Sequence, residues 1–239
     1  MRQYVVKNID SSAGKWLEVA PGRFPGWIAG FAERHGDPGR RDTGTGALAV
    51  TRAGQQVTFT APDGAVAQCH PPFPPVPGAA ADPAAWADAI AAHGLAARTV
   101  GVLLVRLGGY AAGVFTGSPP VLADSKTGAR LVHGRSAAGG WSQHRFARRR
   151  EKQAAEALQA AADAAVTVFG RWRGGRLDAV VLGGDKRAAA GLRDDPRLLS
   201  YLELATDRFL TVPDPKLAVL ADTPRLFVAV RIKLSEPAA

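Results

Sequence analysis

The spacing of apolar residues predicts two regions, each mixing helix and strand. In the first region, apolar residues recur at intervals of three and four between Phe24 and Gly36, which predicts an amphipathic helix. Strands are expected before and after this helix, at Lys15–Val19, Ala47–Arg52, Gln56–Ala61 and Ala65–His70. The middle two flank Ala53-Gly54 and predict a hairpin. The first region is therefore predicted to be a small α+β domain.

A proline-rich stretch separates the two regions. Five prolines lie between Pro71 and Pro77, a density that neither a central strand nor a helix interior tolerates. We interpret this stretch as a stiff linker. It predicts an N-terminal domain over residues 1–78 and a second domain over residues 79–239.

The second region predicts a mixed sheet with helices packed on it. A nearly continuous apolar strand, Thr99–Leu107, is followed by the strands of an antiparallel meander. A long helix is expected at about Phe146–Phe169, then a buried strand at Leu177–Leu182. The alternation from Leu226 to Leu234 predicts a closing strand of the same sheet. The meander strands are expected at Tyr110–Thr116, Val121–Ala123 and Ala129–Arg135, with a turn at Lys126-Thr127-Gly128. The fold class is α+β.

Several classes of protein are excluded by composition. No apolar run reaches the roughly 18 residues that a membrane helix needs, so no membrane partner is expected. The first residues lack the apolar stretch of a signal peptide, and a cytoplasmic location is expected. Cys69 is the only cysteine, which excludes an intrachain disulfide and a cysteine-built zinc site. We interpret Cys69, His70 and His93 as structural, and His35 as a helix-end residue.

The positive charge is concentrated in one segment. The chain carries a formal charge of +9, and the segment from Lys126 to Lys152 holds eight Lys or Arg and one acid. That segment therefore accounts for +7, and a polyanion is the expected partner. A solvated surface is the alternative interpretation of such a run.

Most motifs of enzyme chemistry are missing. A metal-dependent nuclease needs clustered carboxylates, yet Thr99–Leu107 has no acid and Asp124, the nearest, stands alone. The turn Gly183-Gly184-Asp185-Lys186 suits a phosphate at a helix start, and it suits a tight strand-to-helix turn equally well. No metal site or cofactor is expected.

The segment from Gly139 to Arg150 remains as the candidate site. Its glycine pair, Gly139-Gly140, allows close backbone approach to a ligand, and Gln143 follows after Trp141-Ser142. The cations that come next oppose the dipole of the predicted helix, so they suggest a site for a polyanion. The expected loop covers residues 137–144.

This segment resembles the catalytic loop of the Vms-like release factors, in which a Gly-x-x-Gln element replaces the Gly-Gly-Gln of eukaryotic and archaeal release factors. The resemblance is greatest to the short actinobacterial branch and covers residues 98–235. It also extends to Pro21–Gly36, with Trp27 and Arg34-His35-Gly36. It implies an RNase H-like fold for the second domain, after a small N-terminal α+β domain.

The resemblance implies a peptidyl-tRNA hydrolase that frees nascent chains in ribosome-associated quality control. The implied partners are the large ribosomal subunit at its peptidyl-transferase centre, rRNA and peptidyl-tRNA, with the chain acting as a monomer. Gln143, Gly140 and Gly139 would be the catalytic residues. The implied RNA-binding residues are Arg145, Arg148, Arg149, Arg150, Lys152, Trp141 and His144.

Several alternatives remain open at this stage. Trp141 would either stack on a base or anchor the loop, and His144 would act either as an acid–base group or as a phosphate contact. Because the loop is longer than Gly-Gly-Gln, cleavage of tRNA near its 3′ end competes with ester hydrolysis. A non-catalytic ribosome- or RNA-binding module is a further alternative, and a metal-dependent nuclease is disfavoured by the missing carboxylates.

Overall fold

A computed structural model describes residues 15–36, 48–78, 82–106, 108–129 and 142–235, with the side chains of 142–151 outside the described part. The chain divides into two compact units, residues 1–96 with 225–239 and residues 97–224. Within the described residues, no helix is both long and apolar enough to cross a membrane.

The first unit is an antiparallel five-stranded sheet with two helices. Its strands are β1 (Lys15–Val19), β2 (Ala49–Ala53), β3 (Gln56–Thr60), β4 (Val66–His70) and β10 (Val230–Ser235), in the order β1-β10-β4-β3-β2. Its helices are α1 (Phe24–His35) and α2 (Pro83–Leu95). The sequence analysis predicted α1 and all five strands, although the last strand begins at Val230 rather than at Leu226.

Both helices share one core with the sheet. Phe24 and Phe31 of α1 and Ile90 of α2 are fully buried against strand residues such as Phe59 and Ile232. Asp82 caps α2 by accepting hydrogen bonds from the backbone N–H groups of Ala84 and Ala85. Pro83 follows it as the first residue of the helix. The apolar stripe that predicted α1 is therefore the stripe that it buries.

The proline-rich stretch belongs to the first unit and does not link the two. Pro71, Pro72 and Val76 are buried, and the ring of Phe73 lies 6.1 Å from that of Phe227. His93 of α2 bonds the Phe73 carbonyl at 2.7 Å. The predicted boundary after residue 78 is therefore wrong, because α2 packs with the preceding strands and the chain passes to the second unit at residue 97.

The second unit is a mixed sheet in the order β7-β6-β5-β8-β9. Its strands are β5 (Arg98–Arg106), β6 (Gly109–Gly117), β7 (Val121–Ala129), β8 (Ala179–Gly184) and β9 (Ala205–Leu210). The first three form an antiparallel meander, and β8 and β9 run parallel to β5. This is the RNase H-like arrangement that the sequence led us to expect.

The helices of the second unit vary widely in length. They are α3 (Ser142–Arg171), α4 (Lys186–Gly191), α5 (Leu199–Leu202) and α6 (Leu217–Ala221), and α7 (Pro224–Phe227) spans the passage back to the first unit. The 30-residue α3 packs on the sheet, where Gly101 of β5 leaves room for the ring of Phe169. Helix α3 also contains Gln143 and the cations of the candidate site.

Two strand predictions for the second domain were wrong. The expected turn at 126–128 lies inside the continuous strand β7, where Gly128 provides the space that the Tyr110 ring occupies. The closing strand β10 pairs with β1 and β4 of the first unit, so it does not close the mixed sheet. The fifth strand of that sheet is β9, which the sequence analysis missed.

Candidate RNA-facing site at the start of helix α3

Helix α3 begins four residues earlier than predicted. Its first residue is Ser142, so Gln143 and His144 lie in its first turn and not in a loop. Gly139, Gly140 and Trp141 lie outside the described residues. Arg145, Arg148, Arg149 and Arg150 have defined places on the helix backbone, while their side chains fall outside the described part.

The start of α3 has backbone N–H groups that the helix itself does not pair. The first N–H groups of a helix have no intrahelical acceptor, and Gln143 is the second residue of α3. No acidic residue occupies the first turn, and Trp141, which precedes the helix, has no side-chain oxygen to cap it. The helix dipole and these N–H groups together make the position of Gln143 favourable for a negatively charged group.

Four of the candidate RNA-binding cations share one face of α3. Arg145, Arg148, Arg149 and Lys152 are spaced at i, i+3, i+4 and i+7, which places them in one stripe along the helix. We call these four residues the cationic stripe. Lys152, the one with a described side chain, is exposed. Arg150 lies on a different face.

The second half of α3 anchors the helix to the sheet. Among the described side chains of α3, which start at Lys152, burial begins at Ala157, and Ala161, Ala165 and Val168 are fully buried. Ala154, three residues before Ala157, is exposed. Ser142 precedes Ala157 by 15 residues, or about 22 Å at the rise of an α-helix. Gln143 is therefore displaced from the buried core by several helical turns.

An ion pair holds the far end of α3. The guanidinium of Arg171 donates two hydrogen bonds to the carboxylate of Asp124 on β7, with Nε 2.6 Å from Oδ2. Bonding to Arg171 lowers the pKa of Asp124. The two residues are 47 positions apart, so no sequence spacing indicated this contact. Asp124, the isolated acid of the sequence analysis, is thus paired with Arg171 of its own chain.

The turn after β8 is explained by packing. Gly184 has a φ of 100°, and a Cβ there would overlap the carbonyl of Val105. Asp185 accepts a hydrogen bond from the N–H of Ala188 at 2.8 Å and so caps α4. Of the two interpretations of Gly183-Gly184-Asp185-Lys186, the structure favours the tight turn.

Three of the residues interpreted as structural, Cys69, His93 and His35, have contacts within the first unit that fit that role. Cys69 is fully buried, and burial raises the pKa of its thiol. Neighbouring strand residues face opposite sides of a sheet, so His70 does not share that environment. His35 bonds Asp63 at 2.8 Å, which ties the end of α1 to the β3–β4 turn. In the described part of the chain, no three His, Cys, Asp or Glu residues are placed to share a metal ion.

The fold and the candidate site define a release-factor type of domain: an RNase H-like sheet, a glycine pair, a glutamine and a long basic helix. The chain matches the family described as Actinobacteria/chloroflexi VLRF1 release factor over residues 98–233, more than half of its length. It belongs to this family, as the resemblance of Gly139–Gln143 suggested.

Comparison with solved structures found distant similarities. An archaeal translation termination factor, aRF1, matches at 15% identity with a TM-score of 0.36, over 70% of this chain and 49% of that one. A structure titled only as an archaeal protein matches at 14% identity with a TM-score of 0.29, over 91% of this chain and 68% of that one. The chain thus spans about half the length of aRF1. A search of curated proteins found no match. The family assignment rests on the sequence match alone.

Proposed function

We propose that this protein is a peptidyl-tRNA hydrolase that releases nascent chains from stalled ribosomes or large subunits, as a step of ribosome-associated quality control. One observation carries the proposal: Gln143 lies in the first turn of a helix whose basic half has no buried residue among its described side chains, 152–156. A glutamine at the basic end of a helix suits entry into a narrow RNA-lined cavity such as the peptidyl-transferase centre.

The proposed reaction is hydrolysis of the ester between peptide and tRNA. Water adds to the ester carbonyl, the bond to the ribose oxygen breaks, and that oxygen takes up a proton. Glutamine is neither an acid nor a base, so Gln143 is proposed to position the water with its side-chain amide. Its backbone N–H, unpaired within the helix, is proposed to stabilise the oxyanion. The terminal 2′-hydroxyl of the substrate then provides the proton route.

The neighbouring residues are proposed to bind RNA. The cationic stripe (Arg145, Arg148, Arg149 and Lys152) matches the repeated negative charge of a phosphate backbone, and Arg150 adds a cation on another face. Gly139 and Gly140 allow the chain to enter beside the substrate. Trp141 and His144 would contact a base or a phosphate.

The decisive experiment uses purified ribosome–peptidyl-tRNA complexes, with products resolved on a gel. Released peptide with full-length tRNA supports the proposal. Released peptide on a shortened tRNA would establish 3′-end cleavage instead, and repetition with EDTA would show whether such cleavage needs a metal. Ribosome binding without any product would leave a non-catalytic RNA-binding module as the function.

Substitution by proline separates the two proposed roles of Gln143. Gln143→Ala removes the side-chain amide and keeps the N–H, whereas Gln143→Pro removes both. The first turn of a helix tolerates proline, and Pro25 already occupies the second position of α1 in this chain. We expect Gln143→Pro to hydrolyse more slowly than Gln143→Ala in single-turnover measurements. Equal rates would remove the N–H from the mechanism.

A further inference from the structure

The first unit has a second candidate binding surface, on the face of its sheet opposite α1 and α2. Strand pairing places one residue from each of the five strands in a continuous row across this face. The row consists of Trp16, Lys233, Gln68, Thr58 and Thr51. Glu18, Arg231 and His70 form a neighbouring row on β1, β10 and β4, and the paired Gln56 and Ala53 of β3 and β2 lie on the same face. We call these ten residues the outer face.

The outer face is polar and accessible. None of its ten residues is buried, whereas residues of the opposite face such as Ile232, Cys69 and Val57 are 0–2% exposed. Apart from Ala53, every position carries a group able to form hydrogen bonds or an ion pair. Such a surface does not suit an apolar partner helix.

An aromatic and cationic cluster lies at one end of this face. The ring centroids of Trp16 and His70 are 5.3 Å apart, and the Arg231 guanidinium lies 4.8 Å from the Trp16 ring centroid. Lys233 is the direct cross-strand neighbour of Trp16. A half-exposed tryptophan beside two cations combines a stacking surface with phosphate-binding charge.

We propose that the outer face binds single-stranded RNA, separately from the site on α3. A base would stack on the Trp16–His70–Arg231 cluster, because every base offers a π face. Arg231 and Lys233 would bind the adjacent phosphates, while Gln68 and Thr58 would hydrogen-bond to base edges farther along the row. Unpaired bases are required, since a duplex buries their faces. Glu18, the one acid of the face, is paired in register with Arg231, leaving the cations in excess.

The test must exclude RNA bound by α3. The full chain with Arg145→Glu, Arg148→Glu and Arg149→Glu would be titrated with a labelled oligouridine of about ten nucleotides, within the site sizes of single-strand-binding folds. We expect binding to persist in this background. Adding Trp16→Leu should weaken it about tenfold. Adding Arg231→Gln with Lys233→Gln should flatten the slope of log affinity against log salt by about 1.4.

Matched variants and a second readout keep the test decisive. The control variants make the same changes on α1 and just before it: Trp27→Leu, and Arg23→Gln combined with Arg34→Gln. Both should leave the affinity for the oligouridine unchanged. Cross-linking of 4-thiouridine RNA to the unaltered chain should label peptides containing Trp16, His70 or Arg231. This readout uses no variant, so it does not depend on how the variants fold. Cross-links confined to 126–152, or unchanged affinity in Trp16→Leu, would overturn the proposal. Equal competition by polyglutamate, which has charge but no bases, would also overturn it.

Discussion

The two halves of α3 differ in composition and in burial. Residues 142–156 hold five Lys or Arg, and none of their described side chains is buried. Residues 157–171 hold six alanines and one arginine, and most of their apolar side chains pack on the sheet. Small residues allow the second half to approach the strands closely. None of the described side chains of the first half adds to the core, and we interpret the cations of this half as contacts for a partner outside the chain.

The largest effect on folding is expected in the second half. Ala165→Asp would place an unpaired carboxylate at a fully buried position, and it should lower the free energy of unfolding by about 3 kcal/mol or more. Ala154→Asp makes the same change at an exposed position of the same helix, where only helix propensity opposes it, at about 0.7 kcal/mol or less. Urea denaturation of both variants measures the difference. Similar losses would contradict the contrast between the halves.

The largest effect on binding is expected in the first half. Reversing Arg145, Arg148 and Arg149 to Glu should weaken ribosome binding on the order of a hundredfold, because phosphate contacts dominate such affinity. Co-sedimentation at several salt concentrations would measure it, with Tm as the folding control. The matched variant reverses three exposed arginines elsewhere in the second unit, Arg173, Arg187 and Arg193. If both triple variants bind equally weakly, net charge alone explains binding and the cationic stripe does not.

The smallest effect is expected at the C-terminal end of α3. Asp124→Asn removes the ion pair with Arg171 and should lower the Tm slightly at neutral pH. Because Arg171 lowers the pKa of Asp124, the pair stabilises the fold above the ordinary carboxyl pKa of about 4. This stabilisation is lost as pH falls through the lowered pKa. The Tm difference between the two proteins should therefore shrink below about pH 4, and a difference independent of pH would argue against the ion pair.

Local elements were predictable from the sequence, whereas their partners were not. The apolar spacing of α1 and the continuous apolar run of β5 reflect how each element is buried. The alternation that predicted β10 identifies a strand with one buried face, yet it does not specify a sheet. Lys15 and Leu234 pair across nearly the whole chain, so the domain of β10 became visible only in the structure. The prolines at 71–77 indicated a linker because sequence does not show that Pro71 and Pro72 are buried.

The backbone of the candidate site differs from the sequence prediction. Cations near a helix start oppose the dipole, which led us to begin α3 at Phe146 and to leave Gln143 in a loop. The helix begins at Ser142 instead, so the unfavourable charges lie within its first turns. The Asp124–Arg171 pair and the outer face depend on contacts between distant segments. No local pattern indicates them.

The most direct test of the central claim compares two glutamines of α3. Gln143→Ala should slow peptide release from ribosome–peptidyl-tRNA complexes by on the order of 10²–10³, while ribosome affinity stays near that of the unaltered protein. Gln159→Ala is the matched control, since Gln159 is exposed on the same helix and bonds only Asp163, at 3.1 Å, among the contacts described for it. It should release peptide at the unaltered rate. Unaltered release by Gln143→Ala would contradict the catalytic role of Gln143 and leave α3 as an RNA-binding element.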